Sequence, residues 1–221
     1  MHHIDVVFPL WLQILGTIGL AVLMVWMLRS MTWDEAFVPG RVQHFLLATL
    51  VLVVIWSLRA EAVDGLAMHF LGVVAVTLIF GWRLAILMVS LVVVTLALIG
   101  IVEPMLVPLT ILISGVAPAL ATWGLLQFSE RRLPPHMFIY LYVVGFFGGA
   151  LSVLVVMATN SLVYGLFTDV AWESIVREYL QYTPLLILPE GVLNGMIITG
   201  LVMFRPEWVI TYSDARYVDG R

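Results

Sequence analysis

The sequence predicts an all-α polytopic membrane protein with about seven transmembrane helices. Hydrophobic residues make up 62% of its 221 positions and charged residues only 11%, whereas about 25% of the residues in a soluble domain are charged. The apolar runs are roughly 20 residues long and do not alternate with polar residues, which is typical of membrane helices and not of barrel strands. We therefore expect one integral membrane domain over residues 1–221.

The expected spans are separated by short polar segments that contain proline, glycine or charged residues. The longest loop, residues 160–182, has a partly helical spacing that predicts an interfacial helix. Gly145, Gly148 and Gly149 predict a close contact between helices, and residues 205–221 form a polar tail. The predicted spans cover residues 8–28, 42–58, 65–80, 84–102, 105–128, 136–159 and 183–204.

The arginines predict the orientation in the membrane, because short loops rich in positive charge remain in the cytoplasm. Of the 10 basic residues, eight fall on the side of the carboxyl terminus and two on the side of the amino terminus. The start of the chain lacks the positive segment and the cleavage site of a signal peptide. We therefore expect a bacterial inner-membrane protein whose amino terminus, Met1, is outside and whose tail is cytoplasmic.

The chain lacks the residues that several classes of protein need for their function. The chain has no cysteine, which excludes disulfides, thiolate metal sites and a thiol nucleophile. It has no basic patch for nucleic acid, and no phosphate-binding loop, zinc-protease motif or nucleophile elbow. An enzyme is therefore not expected, and membrane lipid is the expected surrounding.

The first three residues, Met1, His2 and His3, form a pattern that can chelate a metal. The terminal amine, one deprotonated amide and the His2 ring supply three corners of a square plane, and another imidazole can supply the fourth. Square-planar nitrogen coordination suits Ni²⁺ or Cu²⁺. In a competing arrangement the amine, two amides and the His3 ring fill all four corners, and a solvated terminus or a fragment of a purification tag is the alternative without a metal.

His69 is the second candidate ligand, within the apolar run 65–72. A histidine within a membrane segment is costly unless it faces the protein interior or a polar partner, so it marks a candidate site. The arginine distribution places it on the same outer side as His2. The alternative is a hydrogen bond between helices or to a lipid headgroup, while His44 and His136 are expected near the opposite face.

Four polar residues are candidates for supporting roles around the metal or in a cavity. Glu61 and Asp64 precede His69, where they either accept a hydrogen bond from its ring or belong to a solvated loop. Glu190 lies in the last apolar run and needs a partner or a neutral state, and Asn194 follows one turn later on the same helix face. These two residues either line a cavity or form a structural hydrogen-bonded pair.

Together these features resemble the CbiM and NikM family, the substrate-capturing membrane components of energy-coupling-factor transporters for cobalt and nickel. The closest resemblance is to a divergent bacterial branch known as energy-coupling-factor transporter permease. The resemblance is carried by Met1-His2, by the run 65–72 and by Glu190-Gly191, and it covers roughly the whole chain. It implies a bundle like that of other substrate-binding components, in which Met1, His2 and His69 hold Ni²⁺ or Co²⁺ in a plane.

The resemblance also implies partners, namely an energising transmembrane subunit and cytoplasmic ATPase subunits. Family members usually continue Met-His-Ile with a turn that contains an acidic residue and glycine, whereas this chain reads Met-His-His-Ile-Asp-Val. His3 is therefore an extra ligand or faces solvent, and cobalt, nickel and copper all remain candidates. Two other functions remain open: a structural or regulatory membrane subunit that does not transport, and a binding component for an organic, vitamin-like solute.

Overall fold

A computed structural model describes residues 8–31, 40–63 and 66–218, and only the backbone of 61–63. Within these ranges the chain is mostly helical and has one short hairpin. Four of the described helical stretches are long and apolar enough to cross a membrane, and two shorter apolar helices accompany them. The predicted class, a membrane protein built from helices, is confirmed.

The described elements are two strands and a set of helices, of which the three longest each contain a π-helical turn. The strands are β1 (Ala60–Val63) and β2 (Leu66–Met68). The helices are α1 (Leu10–Arg29), α2 (Arg41–Ser57), α3 (Val73–Phe80), α4 (Trp82–Leu98), α5 (Pro104–Arg132), α6 (Met137–Phe167), α7 (Trp172–Phe204) and α8 (Asp214–Tyr217).

The predicted third span, residues 65–80, differs from the structure because it is not one helix. Strands β1 and β2 pair antiparallel, with Ala60 opposite Met68, and α3 begins only at Val73. Gly72 has a φ of 63°, a left-handed conformation that glycine adopts at little cost and that directs the hairpin into α3. With 8 residues, α3 is roughly 12 Å long, less than half of the hydrocarbon thickness.

The predicted loop 160–182 also differs, because most of it is helical. Helix α6 continues to Phe167 and α7 begins at Trp172, with Ile175 buried on one face. On the exposed face, Arg177 and Glu173 form an ion pair at 2.9 Å. This amphipathic first part of α7 fits the helical pattern in the sequence and runs directly into the last apolar span.

Helix α3 lies at the centre of the fold, and all of its residues except Ile79 are buried. Its carboxyl-terminal end contacts the tail, because Ile210 N–H donates to the Ile79 carbonyl at 3.1 Å and Thr211 Oγ1 donates to the Leu78 carbonyl at 2.8 Å. The tail therefore packs back against the helical bundle through hydrogen bonds to the backbone carbonyls of α3.

Helices α6 and α7 approach each other at glycines. A Cβ on Gly145 would lie 3.7 Å from Gly195 Cα, and a Cβ on Gly149 only 2.7 Å from the Glu190 carbonyl oxygen. A Cβ on Gly148 would lie 3.3 Å from Val74 of α3. The predicted glycine contact is confirmed, and it determines how closely Glu190 approaches the neighbouring helices.

Candidate functional site

His69 lines a cavity of about 500 Å³ between the hairpin and helices α2, α4, α5 and α6. Phe8, the first residue that the structure describes, lines the same cavity together with Trp56 and Asn160. The Phe8 ring is buried and packs edge-on against Tyr164 with a centroid distance of 4.9 Å. The described chain therefore begins at the wall of the cavity that contains His69.

The contact of the His69 ring with the backbone determines which of its two nitrogens carries the proton. Its Nδ1 lies 3.1 Å from the carbonyl oxygen of Phe70. Because a carbonyl can only accept, the hydrogen bond requires the proton on Nδ1, and the lone pair then belongs to Nε2. This tautomer is the one that binds a metal through Nε2.

Trp56 of α2 packs against the His69 ring, with a centroid distance of 4.4 Å and an interplanar angle of 42°. Its indole Nε1–H donates to the carbonyl of Leu71 at 2.9 Å. Trp56 is buried, so this hydrogen bond satisfies a polar group that would otherwise be costly to bury. One side chain therefore contacts the His69 ring and holds the backbone two residues later.

Glu190 of α7 also binds the backbone of this segment. Its Oε2 accepts from Leu71 N–H at 2.9 Å and its Oε1 accepts from Gly72 N–H at 2.7 Å. Asn194 Nδ2 donates to the same Oε1 at 2.8 Å, and Asn194 Oδ1 accepts from Ala75 N–H at 2.8 Å. The pair thus binds N–H groups at the start of α3, where a helix leaves donors unpaired and favours negative charge.

The role of this pair follows from its surroundings. Glu190 and Asn194 are each only 1% exposed, and neither lines the cavity that His69 and Phe8 share. The carboxyl group accepts three hydrogen bonds, which is how a buried polar group is accommodated. Of the two interpretations of the sequence, the structural pair agrees with these contacts.

The remaining predicted site residues are not brought together by the described part of the chain. Met1, His2, His3 and Asp64 lie outside the described residues, as does the side chain of Glu61. Within residues 8–31, 40–63 and 66–218, no three His, Asp or Glu side chains form a group that could hold a metal ion. A metal bound at His69 therefore needs further ligands from outside the described residues.

Sequence reasoning missed Trp56. It ends an apolar run, where a tryptophan is typical of an anchor at the membrane interface, and the sequence does not pair it with His69. The spacing of 13 residues between Trp56 and His69 does not correspond to the period of a helix or a strand. The two residues meet because the chain reverses direction through the hairpin. No local signal could have identified this contact.

Comparison with known proteins gave one match. The family model described as CbiM, cobalt uptake substrate-specific transmembrane region, matches residues 2–208. No curated protein and no solved structure matches the chain. The matched range contains His2, His69 and Glu190 and extends over nearly the whole length of the chain.

Proposed function

Because the chain belongs to the CbiM family of cobalt uptake substrate-specific transmembrane regions, we propose that it captures Co²⁺ at the outer face of a bacterial cell membrane. The observation that carries this proposal is the cavity shared by Phe8 and His69. Phe8 is the first described residue, and His69 is the described residue best suited to bind a transition metal. Both line this cavity. Ni²⁺ is the alternative cargo.

The proposed ligands are the amine of Met1, a backbone nitrogen and the ring of His2, and Nε2 of His69. Six residue steps separate His2 from Phe8, and an extended chain can span about 20 Å over that number of steps. This reach is enough to bring His2 from the cavity wall to the His69 ring. In this arrangement His3 is an extra ligand or faces solvent.

The volume of the cavity supports entry of the amino-terminal chain. An ion bound by imidazole nitrogens at about 2 Å needs little of the space, whereas the cavity measures about 500 Å³. The amino-terminal chain and its two histidine rings would use the remainder. The amino-terminal segment would then both fill the cavity and supply the ligands from Met1 and His2.

The other polar residues have supporting roles. Glu190 and Asn194 hold the start of α3 and, with it, the segment that carries His69. Because the His69 Nδ1 proton already has an acceptor in Phe70 O, the ring does not need the carboxylates Glu61 or Asp64. We propose that these two residues belong to a solvated hairpin.

Uptake would require an energising membrane subunit and ATPase subunits in the cytoplasm, because the chain has no phosphate-binding motif. We propose seven membrane passes, with the hairpin and α3 forming the third, an outer amino terminus and a cytoplasmic tail. A fluorescent protein fused after Arg221 should then be fluorescent, and alkaline phosphatase at the same position should be inactive. Active phosphatase there would contradict this orientation.

Calorimetric titration with Co²⁺ tests the proposed site, on protein with a native amino terminus and a carboxyl-terminal tag. We expect roughly equimolar binding that is weakened by His2→Ala, by His69→Ala and by acetylation of the amine. His136→Ala is the matched control, because His136 does not line the cavity and caps the start of α6. Affinity that is unchanged by His69→Ala would contradict the proposal.

One observation supports a second candidate, an organic solute. Cavities of 300–1,000 Å³ are typical of small-molecule sites, and this one has aromatic walls at Phe8, Trp56 and Tyr164. Native mass spectrometry of the purified protein distinguishes the two functions. A co-purified organic molecule displaced by Phe8→Ala would favour the solute, and a bound metal without such a molecule would favour the ion.

A further inference from the structure

Leu71 has both of its backbone polar groups bound by side chains of distant helices. Its N–H donates to Glu190 of α7 at 2.9 Å, and its carbonyl accepts from Trp56 of α2 at 2.9 Å. Leu71 is buried and lies two residues after His69. The segment that carries the proposed ligand is therefore fixed by side chains of two different helices.

We propose that Trp56 is a positioning residue for His69 and that it acts together with Glu190 through the backbone of Leu71. This inference rests on the proposed function of His69 as a metal ligand. The indole ring packs on the imidazole with a centroid distance of 4.4 Å and limits its rotation, while the indole N–H holds the carbonyl of Leu71 in place. The result is a ligand held in the orientation that the metal requires before the ion arrives.

The contacts of the ring explain why such support is needed here. His69 lies between β2 and α3, outside any helix or strand, so no regular backbone ladder fixes it. The Phe70 carbonyl engages Nδ1 but leaves the tilt of the ring free. Trp56 supplies the missing constraint, and precise orientation of a ligand by its neighbours is a general property of metal sites.

The test uses the full-length protein, with Co²⁺ as the probe and Trp56→Phe as the main variant. Phenylalanine retains an aromatic ring beside His69 and removes the bond to the Leu71 carbonyl. We expect Co²⁺ affinity to fall by roughly 10- to 100-fold, as is typical for residues that orient metal ligands, with a changed visible absorption spectrum of the bound Co²⁺. Trp26→Phe is the matched control, since Trp26 is 54% exposed and stacks on Trp82 away from the cavity.

A double-mutant cycle separates positioning from general structural support. In a His69→Ala background, the Trp56→Phe change should cause no further loss of Co²⁺ affinity, because the residue acts through His69. An equal loss with and without His69, or no loss with His69 present, would overturn the inference.

Glu190→Gln provides an independent arm if Trp56→Phe folds poorly. It reduces the acceptors for Leu71 and Gly72 and should weaken binding only when His69 is present. If His69→Ala alone leaves Co²⁺ affinity unchanged, the proposed function itself fails. If His69→Ala weakens binding but neither Trp56→Phe nor Glu190→Gln does, only the inference about positioning fails.

Discussion

Gly149 and Glu190 meet backbone to backbone, so closely that a Cβ on Gly149 would lie 2.7 Å from the carbonyl oxygen of Glu190. Because the Glu190 carboxylate holds the N–H groups of Leu71 and Gly72, this contact fixes more than the distance between α6 and α7. It also fixes the position of the Glu190 carboxylate relative to the start of α3. The position of His69 therefore depends on a glycine of α6.

Gly149→Ala should destabilise the protein and weaken Co²⁺ binding together. The added methyl group meets rigid backbone, so α7 must shift, and we expect the free energy of unfolding to fall by about 1–3 kcal/mol. Denaturant unfolding in detergent measures this loss. Gly124→Ala is the control, because nothing lies within 4 Å of a Cβ at Gly124; equal stability of the two variants would contradict the prediction.

Glu190→Ala should lower the free energy of unfolding by about 3 kcal/mol, because it leaves the buried Leu71 N–H and the partly buried Gly72 N–H without their acceptor, and an unsatisfied buried group costs about 1–3 kcal/mol. Thermal unfolding at one detergent concentration gives the comparison. Met196→Ala on the same helix serves as control, since Met196 is 66% exposed. If both variants unfold at the same temperature, the carboxylate does not support α3 as we describe.

Acid should weaken Co²⁺ binding, because nitrogen ligands must lose their protons before they bind a metal. The sign is fixed: affinity rises with pH, and binding releases protons. Titrations in buffers of different ionisation enthalpy count those protons. Removal of the terminal imidazole by His2→Ala should make the pH dependence of the affinity shallower, and an unchanged dependence would show that His2 does not bind the ion.

Metal affinity should rise from Co²⁺ to Ni²⁺ to Cu²⁺, because a site of nitrogen ligands follows the general order of divalent metals. Competition titrations give the ranking. His3→Ala tests whether the terminal chelate through His3 contributes, and we expect its largest effect on Cu²⁺. Tighter binding of Co²⁺ than of Ni²⁺ would show instead that the protein imposes a geometry other than a square plane.

The long helices were predictable because each is encoded by one continuous apolar run. The predicted spans 8–28 and 183–204 correspond to Leu10–Arg29 and to Thr183–Phe204 within α7. The run 65–80 is equally apolar, yet it forms a strand, a turn and a short helix. Its backbone is satisfied by Trp56 and Glu190 from other helices, and such partners are not visible in a local pattern.

In the candidate site, too, the sequence identifies unusual residues but not their distant partners. A histidine and a glutamate in apolar runs are costly by themselves, so His69 and Glu190 could be identified as unusual residues. The partner of Glu190 could not, because it is the backbone of Leu71, 119 residues earlier in the chain. Backbone partners have no residue-type signature, and only the fold reveals them.

In the proposed site one ion joins the amino terminus to His69. X-ray absorption of bound Co²⁺ can detect this arrangement, because it counts the imidazole ligands around the metal. We expect at least two imidazoles in the wild-type protein and one fewer in His69→Ala. The same number of imidazoles in both proteins would contradict it.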